Sequence, residues 1–111
     1  MSDDRISIDD FAKVELKTAE VLEVEKVEEA DKLLRLQIKI GEENRQIVAG
    51  IAEHYSPEEL VGKKIVVVAN LKPAVIRGVE SNGMLLAVST NDSVVLVTPE
   101  DTDVPSGLKV S

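Results

Sequence analysis

Asn70-Leu-Lys-Pro-Ala-Val-Ile-Arg-Gly-Val-Glu-Ser-Asn-Gly-Met-Leu-Leu86 joins two apolar runs and carries a basic turn between them. Pro73 fixes its own φ, keeps Lys72 extended and has no N–H to give to a sheet ladder, so the β-branched run Lys64 to Ala69 leaves its sheet here. Gly78 and Gly83 bracket the polar segment Val79 to Asn82, and both permit the positive φ or close backbone approach that other residues resist. At Met84 the chain becomes apolar again. Asn70, Lys72, Arg77, Ser81 and Asn82 thus fall on connections at the ends of buried strands, where binding residues are commonly carried. Ordinary solvated turn residues would read the same way, so the rest of the chain has to decide.

Upstream, Leu34, Leu36, Ile38 and Ile40 alternate with Arg35, Gln37 and Lys39, which is the clearest strand of the sequence. Gly41 to Asn44 closes a hairpin onto Arg45 to Gly50, where Ile47, Val48, Ala49 and Ile51 are apolar without alternation, as in a strand covered on both faces. Val14 to Val27 alternates with a slip in phase between Leu16 and Leu22, which predicts a bulge around Thr18 to Val21 in a long, bent strand. Ser7 caps a short helix ending near Lys13, from which Phe11 is expected to plug the core. Ser56-Pro-Glu-Glu-Leu60 reads as a capping box with Pro at the first helical position. Downstream, Met84 to Ser89 and Val94 to Val97 are two further strands, and a turn-rich connection leads to Leu108 to Val110. Short strands, single-turn helices and no βαβ rhythm predict an all-β chain forming a small closed or nearly closed barrel, with C-terminal extension strands.

The chain of 111 residues is the size of one domain, expected over 1–111, and can bury a core without disulfides or metal. It has no Cys, which removes thiol nucleophiles and cysteine zinc sites and suits a reducing compartment. No apolar run approaches the roughly 20 residues that span a bilayer. The start, Met-Ser-Asp-Asp-Arg, lacks the regions of a signal peptide, so a cytoplasmic location with no membrane partner is expected. The net charge of −8 argues against a polyanion partner. Its distribution weakens that objection: residues 1–31 carry eleven acids and four bases, residues 91–111 four acids and one base, and residues 32–90 eight bases and six acids, a net of +2. A locally basic middle face is compatible with that total. Phe11 and Tyr55 are the only rings, so recognition by base stacking is not provided for, and a nucleic-acid partner would be read by shape and backbone.

Catalytic patterns are absent from the sequence. The sole histidine, His54, has neither the further ligands of a zinc site nor a matching nucleophile, and reads as solvated or structural. Ser81 lacks the glycine two positions earlier that a nucleophile elbow needs, since Val79 stands there. Neither the dinucleotide nor the phosphate-loop glycine pattern occurs. No catalytic residue, metal or cofactor is expected.

Five blocks occur in one order: Phe11-Ala-Lys-Val-Glu-Leu, Asp31-Lys-Leu-Leu-Arg-Leu, Arg45-Gln-Ile-Val-Ala-Gly-Ile, Asn70-Leu-Lys-Pro and Arg77-Gly-Val-Glu-Ser-Asn-Gly-Met. Together they resemble the tRNA-binding domain found at the carboxyl terminus of many methionyl-tRNA synthetases and as free-standing structure-specific tRNA-binding proteins. The resemblance covers about Ile6 to Val110. It implies a five-stranded Greek-key OB-fold barrel, a homodimer, and non-catalytic binding of tRNA by overall shape, in company with the catalytic part of a synthetase or alone. Carried over position by position, it makes Lys32, Arg35, Arg45, Asn70, Lys72, Arg77, Ser81 and Met84 the binding face. Lys32, Arg35, Arg45, Lys72 and Arg77 would neutralise phosphates, Asn70 and Ser81 would bond sugar or phosphate oxygens, and Met84 would pack beneath them. One departure stands out: where many members have His-Pro before the Asp-Lys-Leu block, this chain has Glu28-Glu29-Ala30. Export-related chaperones of the same barrel look similar, which makes peptide or preprotein binding the alternative.

Overall fold

The computed structural model describes residues 3–111. The strands are β1 (Leu16–Lys26), β2 (Leu34–Ile40), β3 (Glu43–Ala49), β4 (Lys64–Val68), β5 (Ala74–Ile76), β6 (Val79–Ser81), β7 (Met84–Leu85), β8 (Ala87–Ser89), β9 (Val94–Leu96) and β10 (Lys109–Val110). Two single-turn helices, α1 (Ile8–Phe11) and α2 (Pro57–Leu60), complete the elements.

The all-β class expected from the sequence holds. β1 organises the sheet because its two halves have different neighbours: Leu16 to Glu20 pair antiparallel with β4, and Glu20 to Lys26 pair antiparallel with β2. The principal sheet therefore runs β3-β2-β1-β4-β7, with β10 on the free edge of β1 at Leu16 and Lys17. A strand shared in this way curls the sheet around one core, an antiparallel half-barrel. The register slips between Val21 and Glu23, leaving Leu22 as the extra residue, one position beyond the predicted bulge. At Thr18 itself the register with β4 is unbroken. Thr18 is buried, and its hydroxyl donates to the Pro105 carbonyl at 2.8 Å and accepts the Leu108 N–H at 3.0 Å, pinning the C-terminal chain to β1.

Inside the curl, Val21, Leu34, Leu36, Ile38, Ile47, Leu60, Ile65 and Val67 are fully buried. The alternation in β2 and the unbroken burial through Ile47–Ala49 and through 65–68 of β4 follow the apolar pattern of the sequence. Leu60 of α2 plugs the core, not Phe11. α1 buries no residue, and Phe11 stays 37% exposed because its four-residue helix lies outside the sheet. Ser7 caps α1 as expected, accepting the Asp10 N–H at 3.1 Å. At α2 the capping box is incomplete: Ser56 makes no side-chain bond to the helix backbone and its Oγ instead meets Glu59 Oε2 at 3.0 Å.

The decisive stretch is more ordered than a turn. β5 and β6 pair as a small hairpin, Ala74 opposite Ser81 and Ile76 opposite Val79, through the two-residue loop Arg77-Gly78. Both loop residues have positive φ, 53° and 83°, as a type I′ connection requires. Likewise Met84 to Ser89 is not one strand. At Leu86 the chain leaves β4, its N–H bonding Val66 O at 3.0 Å, and its carbonyl receives Val97 N–H at 3.0 Å as β8 pairs with β9.

Candidate nucleic-acid interface

The β5–β6 hairpin carries the candidate residues from one part of the sheet to another. Its base is fixed to β3: Ser81 Oγ accepts the Val48 N–H at 2.9 Å, Asn82 N–H donates to Gln46 O at 2.8 Å, and Gln46 Nε2 donates to Glu80 O at 2.8 Å. Its tip reaches the β1–β2 loop, where Arg77 Nη2 donates to the Glu29 carbonyl at 3.0 Å. Three residues of strand separate base and tip, about 10 Å. At the tip, Arg77 and Lys32 line one open hollow of about 410 Å³ together with Glu29, Ala30, Asp31, Leu33 and Ile76. On its other flank Arg77 shares a second hollow with Lys26, Arg35, Glu25, Glu28 and Val79. Lys26 is the cation that the motifs did not single out, since it lies at the end of an alternating strand outside all five blocks.

The predicted residues therefore divide. Lys32 and Arg77 come together at the tip, exposed and without an ion pair among the described residues. Lys72 is exposed and likewise unpaired among them, on the turn that leads into β5. Arg35 joins the tip group but already holds Glu25 across the β1–β2 pair, its Nε donating at 2.8 Å. Arg45 is half-buried; it forks onto Glu43, Nε to Oε2 at 2.6 Å and Nη2 to Oε1 at 3.2 Å, and donates through Nη1 to the Ala69 carbonyl. That guanidinium holds the Glu43 carboxyl below its usual range, against a smaller opposing effect of desolvation. Asn70 spends its amide on the main chain of residues 13 and 15. Ser81 is buried, accepting from Val48 and donating to Gly83 O at 3.0 Å. Met84 does not pack beneath the site; it is 49% exposed on β7, a two-residue strand at the end of the sheet. The departure at Glu28-Glu29-Ala30 puts an acid beside Lys32, since Glu29 stands with Asp31 in the same hollow. Among the described residues no cluster of His, Asp or Glu is arranged to hold a metal ion, and no helix is long and apolar enough to cross a membrane.

The family model described as "Putative tRNA binding domain" matches residues 16–109, from the first residue of β1 into β10. The chain belongs to this tRNA-binding domain family. Among its relatives, the methionine–tRNA ligase of Thermotoga maritima is 63% identical over 106 residues, which are 96% of this chain and 17% of the ligase. The domain thus spans about a sixth of the length of that relative. Among solved structures, a MetRS related protein from Pyrococcus horikoshii superposes with a TM-score of 0.90 at 41% identity, over 98% of this chain and 100% of that one. The chaperone CsaA of Bacillus anthracis superposes with a TM-score of 0.86 at 32% identity, over 96% and 99% of the two chains. The tRNA-binding domain resemblance read from the five sequence blocks is therefore shown. The two structural relatives carry differently named functions on one fold, so the fold alone does not choose between them.

Proposed function

We propose that residues 1–111 form one OB-type domain that binds tRNA without catalysing a reaction, recognising the folded shape and backbone of the RNA, as a homodimer and either free-standing or within a methionyl-tRNA ligase. The observation that carries this reading is the meeting of Lys32 and Arg77 at the hairpin tip, unpaired among the described residues, within a family whose model is described as tRNA binding. The scarcity of rings supports shape over base stacking. A weak general binder tethered to a catalytic module raises the local concentration of RNA without any new specific contact.

Peptide binding is the second reading. It is favoured by the likeness to CsaA and by Leu71, Val75 and Met84, apolar residues exposed on or beside the hairpin. Competition separates the two. On the tRNA reading, unfolded peptide leaves bound tRNA in place, whereas displacement of tRNA by a peptide held more tightly would transfer the function to peptides. A mass measurement in solution beside it should give twice the chain mass; a monomer that still binds tRNA would remove the dimer from the proposal.

A further inference from the structure

The sequence assigns Asn70 and Arg45 to the RNA face, yet the polar atoms of Asn70 are turned to the protein's own main chain, and those of Arg45 to the Glu43 carboxylate and the Ala69 carbonyl. Asn70 Oδ1 accepts the Glu15 N–H at 2.9 Å and Nδ2 donates to the Lys13 carbonyl at 2.6 Å. The Ala69 N–H donates to Glu15 O at 2.7 Å, so the chain entering β1 is laced to the end of β4 on two sides of one residue. From the opposite direction Arg45 of β3, braced by Glu43, holds the Ala69 carbonyl. Lys72 follows two residues later, and Pro73 restricts its backbone to extended geometry.

We propose that Asn70 is a positioning residue for tRNA, acting through Lys72, with Arg45 holding the same turn from the β3 side. The brace fixes the backbone from which the Lys72 side chain departs, so a phosphate contact is made without the cost of ordering the turn on binding. This inference rests on the tRNA reading above and assigns new roles within it.

A double-mutant cycle tests it, with binding of one tRNA measured as a function of salt for wild type, Asn70→Ala, Lys72→Ala and the double variant. Removing a phosphate contact lowers the slope of log K against log salt by about one. Asn70 is uncharged, so as a direct ligand it would leave that slope alone. The expected result is that Asn70→Ala reduces the slope as Lys72→Ala does, weakens binding several-fold, and has no further effect once Lys72 is gone. Hydrogen exchange at the Glu15 amide should also quicken in Asn70→Ala. An unchanged slope with effects that add would overturn the inference while leaving tRNA binding intact. Failure of the wild type to bind would remove the tRNA reading itself. Should Asn70→Ala not fold, Asn70→Ser, whose hydroxyl can keep one of the two partners, carries the same cycle.

Discussion

Ser81 has a hydroxyl that works inward. It is the side-chain partner of the Val48 N–H, and it returns a hydrogen bond to Gly83 O. Replacing it with Ala leaves a buried donor unpaired, which costs about 1–3 kcal/mol; denaturant unfolding of Ser81→Ala should show that loss, while the salt slope for tRNA stays as in the wild type. The Glu43–Arg45 pair gives a pH prediction. Its carboxyl is held below the ordinary value of 4.5 by the guanidinium, so the pair's contribution is present above that value and is lost as pH falls through the lower folded value. Unfolding midpoints of wild type and Glu43→Gln should therefore differ near neutrality and converge in acid; a constant gap would contradict the assignment. Residue type and turn context made Lys32, Lys72 and Arg77 legible as exposed cations. The bonds of Arg45 to Ala69, of Ser81 to Val48 and of Asn70 to Lys13 were not legible, because they reach backbone groups 24 to 57 residues away along the chain that no side-chain motif marks.

Among the elements, those with long apolar patterns were legible and the short ones were not. β2 and β4 declare themselves through alternation and through an unbroken branched run. β5 and β6 are three residues each, and Arg77-Gly78 is an atypical type I′ pair, since Asn or Asp usually stands where Arg77 has positive φ. Phe11, expected to plug the core, does not, because its four-residue helix lies outside the sheet and buries no residue. Two glycines separate conformational cost from steric cost. At Gly78, with φ 83°, a Cβ would meet open space, so Gly78→Ala carries only the left-handed penalty of roughly 1–2 kcal/mol. At Gly107, with φ 85°, a Cβ would sit 2.6 Å from Gly41 Cα, backbone against backbone at the point where the C-terminal chain crosses the β2–β3 turn. Thermal melts should rank Gly107→Ala well below Gly78→Ala, and equal melts would mean that this crossing is not tightly packed.

For the whole molecule, the question is how a chain of net charge −8 holds a polyanion. The eleven acids of residues 1–31 are not segregated from the candidate face, for Glu25, Glu28, Glu29 and Asp31 border its hollows. Lys26, Lys32 and Arg77 line those hollows as exposed cations without an ion pair among the described residues, and Lys72 stands exposed and likewise unpaired among them on the turn that enters the hairpin at its base. Binding at so few phosphates should be moderate and quickly screened. The most direct measurement is the affinity of the wild type for several different tRNAs and for one unstructured single strand, each titrated across salt. Shape reading through these cations predicts similar affinities for all the tRNAs, weaker binding of the single strand, and slopes of log K against log salt no steeper than about −4. Strong preference for one tRNA, tighter binding of the single strand, or affinity indifferent to salt would contradict it.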